Sequence, residues 1–375
     1  MSITLQQQEK VQSKLDSWIA NDPRRLKILA ELIVAIPLSR SVQSGDLASH
    51  IIRDVQDRSI AQMLRRFYKN KAITWEAFYW PQVERVLKSL HVPVYYLLID
   101  TTDVGTEHRA VVLSLAYNQR SIPLIWGIEK GKKGHTSEAV QVELLRKLST
   151  KFKPTKPVIF LGDTEFDGVT VQRELQRLNW FYILRTSPTL YIYPPDAQVE
   201  TQLGSLVPAV DAPSQTRTQV NFTTKHLFGP VDVYACWESP HQEPLILIYH
   251  LPVQWGYSAR TTYKTRFWTE PLFGDFKEGG FRLSQSHLEH TARMGRLLLA
   301  VASSYIWMVS LGAHLFAHGD AALVDHPNRR TLSIFKAGWR WFKRQLKLKK
   351  LVAFDLLFPE NIALPPLAFT QTCVW

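Results

Sequence analysis

A mixed α/β fold is predicted by three observations on this chain of 375 residues. Over residues 1–90 apolar side chains recur at intervals of three and four, the period of helices packed by one face. From Val92 the period changes to short apolar runs bounded by turn residues, which are strands, and these then alternate with amphipathic helices. The composition, 45% hydrophobic and 21% charged, is that of a globular protein with a sizeable core and excludes a disordered chain.

The elements follow in order. In residues 1–90, "RRLKILAELIVAIPLSRS", "LASHIIRD" and "SIAQMLRRFYKN" are helical, with Asp46 and Asp57 or Ser59 as candidate caps. Arg58, Arg65, Arg66, Lys69 and Lys71 give this region a basic face of the kind that meets nucleic-acid phosphates, or one that is simply solvated. In residues 91–186, "VPVYYLLIDTTD", "RAVVLSLAYNQ" and "SIPLIWGIEK" are three strands, and "SEAVQVELLRKLSTKF" is a helix. "KPVIFLGDTEFDG" contains a buried strand, "VTVQRELQRL" a helix and "NWFYILRT" a fifth strand. The order β-β-β-α-β-α-β is, by analogy, that of a ribonuclease-H-like core.

Residues 187–258 turn rich in Pro, Thr and Val with short alternating stretches and are expected to form a β-rich insertion. Residues 259–320 are expected to return to the core. Within them Leu297 to Phe316 holds no Lys, Arg, Asp or Glu and is long enough to span a bilayer. Its interior Ser303, Ser304 and Ser310 and the basic sequence on both sides instead predict a buried core helix. Residues 321–375 form a basic C-terminal region. There "RRTLSIFKAGWRWFKRQLKLKK" carries nine Lys or Arg and no acid, interleaved with Phe335, Trp339, Trp341 and Phe342. That pattern suits a nucleic-acid face, and equally an amphipathic helix whose aromatic residues are core.

The formal net charge of +12 implies a polyanionic partner. Cys236 and Cys373 are the only cysteines, so neither a disulfide framework nor a zinc cluster can be assembled, which fits a reducing cytoplasm. "MSITLQQQEKVQSKLDSW" has no positive patch followed by an apolar run, so a cytoplasmic location is expected. "GIEKGKKGHT" lacks the Lys-Ser/Thr ending of a phosphate-binding loop, and His287 and His290 lack further zinc ligands and are expected at a helix start.

The chemistry is concentrated in acids at strand ends. Asp100 ends "VYYLLID" and Asp163 follows "VIFLG"; a lone Asp there often closes a turn, but adjacent strand ends in an open sheet converge on one edge. Glu270 supplies a third carboxylate on a helix. Three ionised acids at a partly desolvated edge repel one another unless cations accompany them, and hard oxygen ligands select Mg²⁺ or Mn²⁺. Two such ions would serve in-line phosphoryl transfer. Asp103 is an alternative to Asp100, and Glu165 or Asp167 to Asp163. In "YKTRFWTEPLFGDFK", Tyr263, Arg266, Glu270 and Lys277 fall within roughly a 60° sector of one helical face. Pro271 and Gly274 are expected to bend that helix, leaving the placement of Lys277 dependent on the bend.

"IDTTD" at Asp100, "GDTEFD" at Asp163, and Tyr263, Arg266, Glu270 and Lys277 at the spacing Y(2)R(3)E(6)K resemble the DDE transposases of the insertion sequence 4 family. The resemblance covers most of the chain. It implies that Asp100, Asp163 and Glu270 bind two catalytic Mg²⁺ or Mn²⁺ ions, and that Tyr263, Arg266 and Lys277 hold phosphates of transposon ends. It further implies a homodimer on paired double-stranded ends, strand cleavage, and joining of 3′-hydroxyls to target DNA. Relatives can pass through a DNA hairpin with an aromatic of the insertion receiving a flipped base, for which Trp237 is the candidate by position and Trp255 and Trp268 are rivals.

Overall fold

The computed structural model describes residues 2–131, 136–194, 199–252, 255–360 and 362–367. Cys373, and part of the glycine- and lysine-rich stretch after Lys130, lie outside them.

Five helices come first: α1 (Ile3–Trp18), α2 (Pro23–Ser39), α3 (Ser44–Ala48), α4 (Asp57–Lys69) and α5 (Trp80–Ser89). Asp22 caps α2 by accepting from the Arg24 N–H at 2.9 Å, with Pro23 in the first turn where its missing N–H costs nothing. Asp46 and Asp57 are not caps: they sit in the first turns of α3 and α4, whose capping positions are Gln43 and Gln56, and there their charge complements the helix dipole. On α4, Ile60, Leu64, Phe67 and Tyr68 are buried and the basic face is left outside. A π-helical turn, Trp75–Tyr79, fastens this bundle to the sheet, since the Trp75 indole donates to Leu124 O at 2.8 Å and the Tyr79 hydroxyl to Pro123 O at 2.6 Å.

The sheet begins with β1 (Tyr95–Val104), β2 (His108–Tyr117) and β3 (Arg120–Lys130), an antiparallel meander. After α6 (Glu138–Lys151), strand β4 (Val158–Gly162) pairs parallel to β1; after α7 (Val169–Arg177), β5 (Phe181–Arg185) pairs parallel to β4. These strands carry apolar side chains on both faces, as strands covered on both sides must.

The β-rich stretch is not a separate sheet. It folds as β6 (Tyr191–Tyr193), β7 (Thr201–Gln202), β8 (Gln215–Phe222), β9 (Phe228–Cys236) and β10 (Leu245–His250), and β10 pairs antiparallel with β5. One ten-stranded sheet results, in the order β3-β2-β1-β4-β5-β10-β9-β8-β6-β7. The pairing closes the edge that β5 would otherwise expose, with its row of free N–H and C=O groups.

Four further α-helices follow among the described residues: α8 (Ala259–Tyr263), α9 (Thr269–Phe276), α10 (Thr291–Ala317) and α11 (Ile334–Lys347). The apolar segment is indeed a core helix. Although α10 is long and apolar enough to cross a membrane, 89% of its most apolar window is buried within the protein. Its serines are satisfied internally, Ser304 Oγ by Ile33 O at 3.2 Å and Ala300 O at 2.9 Å, and Ser310 Oγ by Leu357 O at 2.6 Å. His290 occupies its capping position. Helix α11, capped by Ser333 Oγ on the Lys336 N–H, crosses α10 where Gly312 and Gly338 face each other's backbone; a Cβ on Gly338 would strike Met308 O. Phe335, Trp339 and Phe342 are buried and belong to the core, while Trp341 is half-buried.

Candidate active site

Strand register brings the two aspartates together. The last couple of the parallel β1–β4 ladder is Leu98 with Leu161, and Asp100 and Asp163 each lie two residues further on. They therefore occupy matching positions on neighbouring strands and on the same face as the couple before them, Asp163 just past the end of β4 and Asp100 within β1 instead of at its end. Strand β1 runs on to Val104 with only β2 beside it, which leaves room over Asp100 for the segment that carries Glu270. Gly162 lets β4 turn there, because a Cβ would meet Phe166 at 2.9 Å and Ile99 at 3.0 Å.

The segment from Tyr263 to Lys277 is not one helix. A 3-10 stretch, Lys264–Trp268, separates α8 from α9. A tighter turn of three residues rotates each following side chain by 120° instead of 100°, so the single-face geometry does not hold across it. Pro271 does not kink α9 either, since it falls in the first turn, where its N–H has no helical partner to lose. Lys277 is half-buried at the C-terminal cap of α9.

Arg266 is the centre of the site. Its Nη1 lies 3.1 Å from Asp100 Oδ2 and 4.0 Å from Asp163 Oδ2, and its Nη2 lies 3.9 Å from Glu270 Oε1. Only 12% of the Arg266 side chain is exposed, against 14% for Asp100, 35% for Asp163 and 50% for Glu270. The structure thus gathers the three acids around one guanidinium, which also covers the Phe267 ring at 4.7 Å.

Each aspartate divides its oxygens. Asp100 Oδ1 accepts from the Thr101 N–H at 2.8 Å, while Oδ2 takes Arg266 and the Thr269 hydroxyl, the latter at 2.7 Å. Asp163 Oδ1 caps the following turn by accepting from the Glu165 N–H at 3.0 Å, and Oδ2 faces Arg266. Burial raises the Asp100 carboxyl above its ordinary range; Arg266, Thr269 and Thr101 pull it back, and Glu270 adds to the rise. Burial, then the Asp100 charge, raises Asp163 likewise. Burial works against the Arg266 charge, but the three carboxylates beside it hold the guanidinium charged.

Tyr263 is 1% exposed and packs with Leu98, Ile159, Leu161 and Ile183 beneath the site. Burial lifts its hydroxyl well above the ordinary phenol range, so it stays neutral and lies under Arg266 instead of on the surface. Asp103 leaves the centre: its side chain is 65% exposed and lies 3.8 Å from Arg109. Glu165 turns the other way, accepting from the Thr136 N–H and hydroxyl, each at 2.6 Å. Asp167 accepts from the Thr186 hydroxyl at 2.7 Å, and burial pushes its carboxyl up to about 6. Arg65 and Arg66 are exposed on α4, where they line an open groove with Arg58, Gln62 and Lys69. Trp237 is half-buried and donates its indole N–H to His241 O at 3.0 Å within its own turn; Trp255 packs on Phe181 and Tyr257.

Thr269 was the residue that periodicity missed. A hydroxyl between Trp268 and Glu270 has no signature in spacing, although a Thr at the start of a helix is a common local donor and acceptor. Among the described residues no three acids, cysteines or histidines stand close enough to share an ion as they are arranged. Three carboxylates are hard oxygen donors of the class that divalent cations take, and the cation drawn among them here is Arg266.

No protein-family model matches the chain, and no curated protein matches it. Among solved structures, the cryo-EM structure of a piggyBac transposase synaptic complex with hairpin DNA is similar, at 10% identity and a TM-score of 0.46 over 99% of this chain and 85% of that one. That similarity is too distant to assign a role to any residue here.

Proposed function

We propose that this chain is a DDE transposase of the insertion sequence 4 type, with a ribonuclease-H-like core, which cleaves DNA at the ends of a mobile element and joins the 3′-hydroxyls to target DNA. The observation that carries the reading is the meeting of Asp100, Asp163 and Glu270, from three separate segments, around Arg266. The run of β3-β2-β1-β4-β5, with β1, β4 and β5 parallel, supports the core assignment.

In this reading the three carboxylates hold two divalent cations, which would activate a water or 3′-hydroxyl and stabilise the leaving oxygen. The chain's own groups do the positioning. Thr101 and Thr269 fix the two oxygens of Asp100, and the turn after Asp163 fixes one of its oxygens, so the free edges point inward. Arg266 turns its planar fork to a phosphate of the element end when DNA enters, and Tyr263 supports it from below. Lys277, Arg65 and Arg66 add phosphate contacts, and Trp237 receives an unstacked base. A homodimer on paired double-stranded ends, acting in the cytoplasm at the nucleoid, completes the proposal.

The test is incubation of the purified protein with the element's own ends and Mg²⁺. Glu270→Gln is expected to abolish cleavage while end binding persists. Ends that are bound but never cut by the unaltered protein would leave a DNA-binding role only, and cutting without joined products would leave a nuclease.

A further inference from the structure

We propose that the exposed face of α11 is a second docking surface, which takes the backbone of duplex DNA without regard to sequence. Lys336, Arg340, Lys343, Arg344 and Lys347 stand at positions i, i+4, i+7, i+8 and i+11, and all are exposed. At 100° per residue they fall within roughly a 100° sector and run about 16 Å along the helix. They form a stripe. No Asp or Glu occurs between Asp325 and Asp355, so the stripe has no neutralising acid in its own sequence neighbourhood.

Tertiary packing extends it. The Arg40 guanidinium lies 5.0 Å from the centre of the Trp339 ring and the Lys343 ammonium 5.7 Å from it, so one buried tryptophan holds the α2 terminus and α11 as one basic surface. The surface is apart from the acids. Lys336 faces the buried Asp275 of α9, and Asp275 is five residues beyond Glu270, about 140° around that helix. DNA on the stripe is, in this proposal, a stretch other than the one at the carboxylates.

The chemistry favours a polyanion over a membrane. An interfacial helix needs its apolar side free for lipid, whereas Ile334, Phe335, Trp339, Phe342 and Leu346 are buried inside the protein. Duplex DNA presents about one charge per 1.7 Å of axis, so five cations along this length find partners without base readout. This inference extends the proposed function to a second DNA contact, and its readout is independent of cleavage.

The test measures binding of a random-sequence duplex by fluorescence anisotropy across a salt series. The charge-removing variant Lys336→Gln/Arg340→Gln/Lys343→Gln/Lys347→Gln is expected to lower the slope of log affinity against log salt by roughly 3 to 4, with affinity at fixed salt falling on the order of 100-fold. The charge-keeping variant Lys336→Arg/Lys343→Arg/Lys347→Arg should bind as the unaltered protein does. Melting curves for both should coincide with it, as the side chains are exposed. An unchanged slope, or loss only when Arg58, Arg65, Arg66 and Lys69 of α4 are altered instead, overturns the proposal. So does binding to vesicles of anionic phospholipid that the charge-removing variant loses while it keeps DNA. Absence of cleavage with any of these proteins bears on the proposed function and leaves this measurement intact.

Discussion

Replacing Arg266 by alanine removes the positive charge that lies 3.1, 4.0 and 3.9 Å from the three carboxylates, and the consequence can be worked from the geometry. At 3.1 Å from Asp100 Oδ2, with both side chains less than a seventh exposed, the pair is close to a buried one. At an effective dielectric of about 20 the direct attraction is about 5 kcal/mol, but desolvation of both ions offsets much of it. Deleting one partner of such a pair leaves an uncompensated charge and costs about 3 to 5 kcal/mol. Asp163 and Glu270 lie at 4.0 and 3.9 Å and are more exposed, so they add little after solvent screening. The expected loss is about 3 kcal/mol at pH 7.5. With about 2.1 cal/mol/K of unfolding entropy per residue, a chain of 375 residues then melts about 4 °C lower.

The sign of the pH dependence is fixed. Burial already raises Asp100 above its ordinary range, and loss of Arg266 raises it further, so the ionised form is the penalised one. The penalty is complete above the folded-state pKa and disappears as the acid protonates, so the deficit of Arg266→Ala should shrink on acidification. Asp100→Asn in the same chain should recover most of the loss at pH 7.5, and millimolar Mg²⁺ should stabilise Arg266→Ala more than the unaltered protein. Thermal melts in a pH series decide it. A variant that melts with the parent at pH 7.5, or falls further behind it as the pH drops, would falsify the account.

Three other perturbations follow from the same packing. Asp167, raised by burial to about 6, destabilises the fold above that pH and regains the loss as pH falls towards about 4; Asp167→Asn keeps an acceptor for Thr186 and should flatten the melting profile across that window, and an unaltered profile would refute the assignment. Thr269→Val deletes the hydroxyl on Asp100 and, as a hydrogen bond to a charged group, should cost about 1.5 to 3 kcal/mol in denaturant titration; no change would mean that Thr269 does not hold the site. Gly338→Ala drives a methyl into Met308 O and should destabilise by about 1 to 3 kcal/mol or more, whereas Lys343→Ala on the same helix, exposed, should stay within about 0.5 kcal/mol.

The strands were legible because their signal is local: "VYYLLID" is an apolar run ending in an acid and "VIFLG" one followed by an acid, and a parallel pairing of the two places those acids side by side. The 3-10 stretch at Lys264–Trp268 was not, since spacings of three and four satisfy either helix until the tertiary fold chooses the tighter one. The joining of β10 to β5 was hidden for another reason: pairing partners as far apart as Leu247 and Arg185 or His250 and Tyr182 leave no mark on the period of either strand. The ring of Trp339 illustrates a third limit. Its spacing on α11 fits stacking and burial equally, and it is the fold that makes it core, with its indole donating to Pro37 O of α2 at 2.7 Å and its ring beside Phe335.

The two readings of an aspartate at a strand end, turn residue and chemical group, turn out to be compatible. Asp163 caps its turn with one oxygen and faces Arg266 with the other; Asp100, within β1, takes the Thr101 N–H on one oxygen and Arg266 on the other. The backbone bond fixes the carboxylate plane, so the second oxygen is aimed before any partner arrives, and its conformational entropy is lost during folding instead of at binding. That arrangement concentrates negative charge and cannot stand alone. Arg266, four residues before Glu270, supplies the counter-charge from the very segment that delivers the third acid. Docking of that segment onto β1 and β4 is therefore coupled to completion of the site: a chain that fails to bring Arg266 to Asp100 also fails to bring Glu270.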